Sequence, residues 1–212
     1  MINRKHKFIF IHIPKCGGIS ISKSSPVFEG KKNVDAHLRN IDYNKRYKKI
    51  DNYFRFAFVR NPWARMVSTY VFWKNQTPDS PFWKWDSPRT EFIRNNKLDF
   101  NSFIQELSNR NPVFFKDQRC SDWRVPHTRP CWEYVQDESG RNWGTNFIGK
   151  VENMQDDFQD LCSKIGLKDL VLPHVNSTEH AYYADFYWSK TRKQIAQLFD
   201  QDIARFHYKF NQ

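Results

Sequence analysis

The chain has 212 residues, a length that fits one domain with a sizeable core and requires neither a disulfide scaffold nor a structural metal. Aromatic residues make up 17% of the sequence, which excludes an intrinsically disordered chain. Lys and Arg number 34 against 23 Asp and Glu, and residues 1–50 alone hold 12 of the basic and 3 of the acidic side chains. The N-terminal quarter therefore attracts anions, a class that includes nucleic acids, nucleotides, phosphate or sulfate esters and acidic glycans.

Cysteine spacing and hydropathy restrict the class of protein further. The four cysteines (16, 120, 131 and 162) form no Cys-x-x-Cys pair and no zinc-binding spacing, so we expect no metal site. Cys120 and Cys131 either pair across a hairpin or remain thiols in a reducing cell. No apolar run approaches the ~20 residues that span a bilayer, and the polar N-terminus lacks the apolar region of a signal peptide. We therefore expect no integral membrane segment and a cytoplasmic location.

In chain order, the first predicted strand is the apolar run 8–13, which ends at a Pro and Gly turn, and residues 19–28 form the first predicted helix. A second strand, residues 53–60, runs into Asn61-Pro62, where Asn is a favourable N-cap and Pro suits the first helical position. The helix that begins there is predicted to bury a stripe at helical spacing, made of Trp63, Met66, Val67, Tyr70 and Val71.

The later elements repeat this alternation. They are a helix capped by Asp99, a strand over residues 147–151, a helix between Asn153 and Gly166, and a last helix opened by a capping box of Thr191 and Gln194. Alternating strands and helices predict an α/β fold with a mainly parallel sheet flanked by helices, in one domain over residues 1–212. Two irregular aromatic and basic stretches, 72–92 and 111–143, are predicted to lie over the open end of the sheet.

The turn after the first strand has the composition of an anion site. Lys15 precedes Gly17-Gly18, which open the following helix, so backbone amides and a mobile cation are placed together. The segment is not the Walker sequence, because the Lys comes before the glycines and no Gly-Lys-Ser/Thr follows. Taken alone, it is either a phosphate-binding loop or a structural turn.

A second segment, residues 60–70, favours the phosphate interpretation. Arg60 lies at the carboxyl end of a predicted strand, where ligand groups collect, and Ser68 follows two helical turns later. Together they provide a cation and a hydroxyl for a second phosphate.

With these two segments the sequence resembles the nucleotide-dependent carbohydrate sulfotransferases, the branch that includes the heparan uronosyl and chondroitin enzymes. Residues 14–20 resemble that family's 5′-phosphosulfate loop, and residues 60–70 match its Arg-Asn-Pro-x-x-Arg-x-x-Ser-x-Tyr motif for the 3′-phosphate. Further matches over residues 146–154, 172–176 and 202–208 extend the resemblance to nearly the whole chain.

The resemblance implies a P-loop-like fold and 3′-phosphoadenosine 5′-phosphosulfate as the donor, with no metal. Lys15 would contact the phosphosulfate and its bridging oxygen, and the 5′-phosphate would be held by Gly17, Gly18 and Ser20. Arg60 and Ser68 would bind the 3′-phosphate. Ile19 stands where the family usually has Thr, so one hydroxyl contact is missing. The implied partners are the donor and a saccharide or other hydroxyl acceptor, and not nucleic acid.

An acceptor hydroxyl must lose its proton as it attacks the sulfur. His, with an ordinary pKa of about 6.5, is suited to accept that proton. His37 lies between the two phosphate motifs, where the family often places its catalytic His, so we predict it as the general base. Three alternatives are His127, His174 and His180. We also expect Lys31, Lys32 and Arg39 to keep the His37 imidazole neutral.

Other polar and aromatic residues have structural interpretations beside functional ones. Arg65 either forms an ion pair on its helix or contacts ligand, and Glu152 is predicted to be a buried hydrogen-bonding anchor. We expect Trp73, Trp83 and Trp85 to pack in the core or against loops rather than to form a platform for a sugar. We expect Ser177, Thr178 and His180 to form a turn rather than to contact the nucleotide.

Two other functions remain alternatives. A nucleotide kinase is disfavoured because Gly-Lys-Ser/Thr is absent and Arg60, instead of Asp, ends the second strand. A non-enzymatic binder of nucleic acid or acidic glycan would explain the basic N-terminal quarter, but not two phosphate motifs in family order.

Overall fold

The fold is known from a computed structural model, which describes residues 1–29, 37–116, 125–167, 170–173 and 181–211. Its sheet contains four strands in the order β1-β2-β3-β4: Ile2–Asn3 (β1), Phe8–Ile11 (β2), Phe54–Val59 (β3) and Phe147–Lys150 (β4). Strand β1 is antiparallel to β2, whereas β2, β3 and β4 are mutually parallel. The α/β fold with a mainly parallel sheet is therefore confirmed. Parallel pairing also places the carboxyl ends of β2, β3 and β4 at one edge of the sheet.

Ten α-helices occur in the described residues: Gly18–Ser24 (α1), Asn40–Arg46 (α2), Pro62–Lys74 (α3), Trp83–Asn95 (α4), Phe100–Ser108 (α5), Pro112–Phe115 (α6), Trp132–Val135 (α7), Met154–Lys164 (α8), Ser189–Leu198 (α9) and Asp200–Phe206 (α10). Short 3-10 helices cover Pro26–Phe28, Pro126–Thr128, Val151–Asn153 and Tyr183–Phe186. Within the described part of the chain, no helix combines the length and apolar character needed to cross a membrane.

The chain divides into two compact units. The first contains residues 1–60 and 130–177, and the second contains residues 61–129 and 178–212. The first unit holds the sheet, whose Phe-rich strands pack with the apolar sides of α1 and α8 around Phe8, Phe10, Phe56, Phe58 and Phe158. The second unit is helical, and its core gathers around Trp73 and Phe103. One domain over residues 1–212 stays a prediction.

Several predicted helix ends are confirmed, together with the contacts that were expected to fix them. Asn61 caps α3 through its side-chain oxygen, which accepts the Trp63 N–H at 3.1 Å, and Pro62 is the first helical residue. Asp99 likewise caps α5 by accepting the Ser102 N–H at 2.7 Å. Helix α8 ends before Gly166, whose φ of +71° is a left-handed conformation that glycine tolerates.

Three other helix ends differ from their predictions in position or in capping contact. The first helix stops at Ser24, because Pro26 disfavours the α conformation at Ser25, and a 3-10 turn follows. Asn153 does hold the N-cap position of α8, as predicted, but its side chain makes no capping bond and instead donates to Asp157 at 2.8 Å. Thr191 lies inside α9 at its third residue, where its hydroxyl accepts the Trp188 N–H at 3.1 Å.

The stretch 72–92 was predicted to be irregular, yet most of it belongs to α3 and to the 13-residue helix α4. Pro88 lies inside α4 and removes one helical hydrogen bond. Tertiary hydrogen bonds hold α4 nevertheless: the Trp73 indole donates to Asp86 at 3.0 Å, and the Thr90 hydroxyl donates to the Trp73 carbonyl at 2.8 Å. Tertiary contacts thus override a local helix-breaking signal.

Candidate active site

The loop between β2 and α1 (residues 12–17) is strained. Lys15 has a φ of +63° and Gly17 a φ of +72°, so two nearly adjacent residues are left-handed. Gly17 tolerates this conformation, but a side-chain-bearing residue such as Lys15 pays of order 1 kcal/mol or more for it. Strain of this kind persists only where the surrounding contacts over-determine the backbone.

Close contacts on both glycines provide that support. A Cβ on Gly17 would lie only 2.7 Å from the Met154 sulfur at the start of α8. A Cβ on Gly18 would overlap the His12 imidazole, which lies directly over the Gly18 backbone. The loop is therefore held between the end of β2 and the residues that follow β4. Both glycines predicted for the phosphate loop are needed for its shape.

His37 lies beside the same loop. Its φ is +61°, its Nδ1 atom is 3.2 Å from the His12 carbonyl oxygen, and the two imidazole centroids are 5.0 Å apart. A carbonyl oxygen only accepts hydrogen bonds, so Nδ1 must carry the proton of this bond. In the neutral imidazole, Nε2 then holds the lone pair that is able to accept a proton.

Arg60 reaches the loop from the neighbouring strand. It directly follows β3, is half-buried, and its guanidinium donates to the Lys15 carbonyl at 3.4 Å. Ser20, in the first turn of α1, is buried. The structure thus brings Lys15, Gly17, Gly18, Arg60 and His37 together at the carboxyl edge of the sheet.

His12 was missed in the sequence analysis. Burial lowers the pKa of its imidazole well below the usual range, and the neighbouring charges of His37 and Lys15 lower it further. His12 therefore stays neutral near pH 7, stacked on Phe10 at a centroid distance of 5.6 Å. A His directly after a buried strand and six residues before a Gly is the only sequence signal for this contact.

The second motif, residues 60–70, divides into different roles. Its Asn61 amide donates to the Lys209 carbonyl at 2.9 Å, and its Tyr70 hydroxyl donates to the Leu98 carbonyl at 2.9 Å. Arg65 is fully buried, and its guanidinium donates to the Arg129 carbonyl at 2.7 Å. These three side chains hold the second unit together. Ser68 is also buried on α3, and its role toward a phosphate stays a prediction.

Three other residues considered in the sequence analysis can be assigned from their burial and contacts. His127 stacks on Phe72 at 5.3 Å, which favours packing over catalysis. Trp73 is fully buried, as its packing interpretation predicts. Glu152 is exposed, so its prediction as a buried anchor is wrong; the half-buried Asp157 accepts the Lys150 N–H at 2.6 Å instead.

Some predicted contributors lie outside the described residues: Lys31, Lys32, Cys120, His174, Ser177, Thr178 and His180. Arg39, the remaining cation expected to act on His37, forms a salt bridge of 2.8 Å with Asp42, which offsets its charge. Cys131 is a thiol whose sulfur lies 3.9 Å from that of Cys16 in the strained loop.

Comparisons with known proteins show the family of the chain. The chain is 22% identical to carbohydrate sulfotransferase 10 of Xenopus laevis over 98% of its own length and 66% of that protein's length. It is 26% identical to an uncharacterized protein of Archaeoglobus fulgidus over 64% of its own length and 87% of that protein's. No solved structure matches. The sequence model of the sulfotransferase family matches residues 1–209, so the chain belongs to the sulfotransferase family.

Proposed function

We propose that this protein transfers a sulfuryl group from 3′-phosphoadenosine 5′-phosphosulfate to a hydroxyl group of a saccharide. Family membership supports sulfuryl transfer and disfavours the kinase alternative. The Xenopus relative's name supports a carbohydrate acceptor, although the chain spans only 66% of that relative. The net charge of +11 suits a polyanionic donor.

One observation carries the proposal: His37 and Arg60 both hydrogen-bond to the backbone of the loop that contains Lys15. His37 contacts the His12 carbonyl at 3.2 Å, and Arg60 contacts the Lys15 carbonyl at 3.4 Å. An imidazole and a guanidinium therefore both contact the short segment that carries the Lys15 ammonium. This arrangement fits a reaction in which an anionic donor and a hydroxyl must meet.

The donor contacts follow from the loop. The backbone at Gly17 and Gly18, the Ser20 side chain and the Lys15 ammonium would surround the 5′-phosphosulfate. Amides in the first turn of a helix have no intrahelical acceptor, which makes them available to an anion. Arg60, with five N–H donors, would bind the 3′-phosphate.

The chemistry is an in-line displacement at sulfur. The acceptor oxygen bonds to sulfur as the bond from sulfur to the bridging oxygen breaks, and the electron pair remains on the 5′-phosphate. The hydroxyl proton passes to Nε2 of His37, while Lys15 stabilises the charge that develops on the bridging oxygen. The products are a sulfate ester and 3′,5′-bisphosphoadenosine.

Ligand-dependent unfolding tests the donor assignment. At ~100 times its dissociation constant, 3′,5′-bisphosphoadenosine should add about 2.7 kcal/mol to the free energy of unfolding. AMP at the same concentration should add much less, because it lacks the 3′-phosphate. Arg60→Met should reduce the difference between the two nucleotides. Equal stabilisation by AMP and the bisphosphate would contradict the proposal.

A further inference from the structure

A pocket lies in the first unit, at the opposite end of the parallel strands from the Lys15 loop. It has a volume of about 420 Å³, and its lining includes Asp51, Tyr53, Arg55, Trp143, Thr145 and Asn146. These residues precede or begin β3 and β4, whereas Arg60 follows β3. The length of β3 separates the two edges by roughly 17 Å. The pocket is therefore not part of the proposed donor site.

Hydrogen bonds fix the walls of this pocket. Asn146 and Arg55 bind each other twice, since each backbone N–H donates to an oxygen of the other residue at 2.7 Å. The Gly144 N–H donates to the Val135 carbonyl at 2.8 Å, and Trp143 bridges to Gln136. These bonds hold the lining in place before any ligand arrives, so binding requires little further ordering of the backbone.

Two features of the lining point to a ligand. The side-chain oxygen of Thr145 is buried and has no hydrogen-bond partner in the structure. Buried hydroxyls are normally satisfied, so a ligand hydroxyl would complete this one. The Trp143 side chain is also 47% exposed, although the Trp132 ring packs edge-on against it at 4.8 Å. Its indole is thus fixed in place yet accessible.

The charges of the lining select the class of ligand. Arg55 is buried, and its guanidinium donates to the Asn40 side chain at 2.6 Å and to the Ile50 carbonyl at 3.4 Å. That cation is already engaged, while Asp51 contributes a carboxylate. The lining therefore does not favour an anion. It combines an indole surface with carboxylate, amide and hydroxyl groups, which suit a ligand with an apolar face and several hydroxyls.

We propose that this pocket binds a neutral saccharide of one or two sugar units. The inference goes beyond the proposed reaction, because it assigns a separate glycan site at the edge remote from the donor loop. Trp143 would stack on the apolar face of a sugar ring. The Thr145 hydroxyl and the Asp51 carboxylate would bind its hydroxyl groups.

Saccharide binding to the full chain is the test, measured by saturation-transfer NMR and calorimetry with maltose, cellobiose, lactose and N,N′-diacetylchitobiose. At least one disaccharide should bind. Trp143→Ala should weaken that binding at least tenfold, and Thr145→Val, which removes only the hydroxyl, at least threefold. Trp85→Ala removes a comparably exposed Trp, at 41%, from the second unit and should leave binding unchanged.

Absence of binding by all four disaccharides at 20 mM would overturn the proposal, as would unchanged affinity in Trp143→Ala or Thr145→Val. If either variant fails to fold, acrylamide quenching of Trp fluorescence in the wild-type protein is measured instead. The disaccharide should protect the fluorescence, and absence of protection would contradict the proposal. Stabilisation by 3′,5′-bisphosphoadenosine is measured in parallel. Its presence without saccharide binding refutes only this pocket, and its absence with saccharide binding refutes only the donor assignment.

Discussion

The loop between β2 and α1 and the helix α3 carry the two motif segments, but they use their residues in opposite ways. The loop contains the left-handed Lys15 and Gly17, and Arg60 and His37 bind its backbone carbonyls. Helix α3 buries ten of its 13 residues, including Arg65. The motif match in the loop therefore coincides with a strained backbone that two side chains contact, whereas most of the match in the helix consists of buried packing residues.

This difference has an energetic basis. A left-handed residue that carries a side chain, such as Lys15, costs stability of order 1–3 kcal/mol and persists only where its surroundings over-determine the backbone. Buried polar groups in a helix, in contrast, stabilise only while their partners remain. Substitutions near the loop should thus change turnover more than stability, and substitutions on α3 should do the reverse.

The largest expected effect is on His37. His37→Asn keeps a residue type that tolerates a left-handed backbone but removes the imidazole that would accept the proton. Turnover should fall roughly 10²- to 10⁴-fold, as is typical on loss of a general base. Binding of 3′,5′-bisphosphoadenosine should not change. Steady-state sulfuryl transfer and calorimetry measure the two quantities.

His207→Asn is the matched control, because His207 is also left-handed, with a φ of +57°, but exposed at the end of α10. It should retain wild-type turnover. Near-normal turnover in His37→Asn would remove His37 from the mechanism and leave His127, His174 and His180 as candidates.

The next effect separates Lys15 from Arg60. Lys15→Met should lower kcat by roughly 10²- to 10³-fold, since it removes a group that meets charge developing in the transition state. Arg60→Met should act mainly on donor affinity and leave kcat closer to the wild-type value. Donor titrations of the initial rate give both constants. Loss of affinity alone in both variants would show that Lys15 has no catalytic role.

A third prediction concerns α3. Arg65→Leu removes the buried guanidinium that donates to the Arg129 carbonyl, so that buried hydrogen bond is lost. The free energy of unfolding should fall by about 1–3 kcal/mol in a denaturant titration, with little change in donor affinity of the folded protein. Arg94→Leu is the control, because Arg94 also donates to carbonyls of the second unit but is exposed. A large selective loss of donor affinity in Arg65→Leu would instead make Arg65 a ligand-binding residue.

Strands β2, β3 and β4 were predictable because they are largely apolar runs with clear ends, whereas β1 was not, since it consists of only Ile2 and Asn3. The caps at Asn61 and Asp99 were predictable because each depends on a side chain and a nearby N–H. Helix α4 was not, since Pro88 breaks the local pattern and the hydrogen bond between Trp73 and Asp86 that holds the helix is tertiary. Local rules succeeded where the stabilising contact is itself local.

In the candidate site, too, local sequence rules predicted some residues and missed those that depend on tertiary packing. Lys15, the glycines, Arg60 and His37 could be selected from motif order, and their grouping at one edge follows from parallel strands. His12 was missed because its role depends on packing over Gly18, which no spacing rule predicts. The exposed Glu152 was misassigned because residues 151–153 form a 3-10 turn, while Asp157 accepts the nearby N–H from one helical turn away.

The smallest expected effect concerns His12 and the pH dependence of the free energy of unfolding. Burial lowers the pKa of His12 in the folded protein, whereas in the unfolded chain it titrates near 6.5. Below that pH the unfolded chain binds a proton that the folded protein does not, so the free energy of unfolding falls with falling pH and its full value is kept above pH 6.5. One proton contributes at most about 1.4 kcal/mol per pH unit. Denaturant titrations between pH 7.5 and 5 should therefore show a shallower decline for His12→Gln than for the wild type. Identical slopes in His12→Gln and the wild type would mean that His12 binds its proton equally well in the folded and unfolded states. Burial of the imidazole against Gly18 would then not disfavour its charged form.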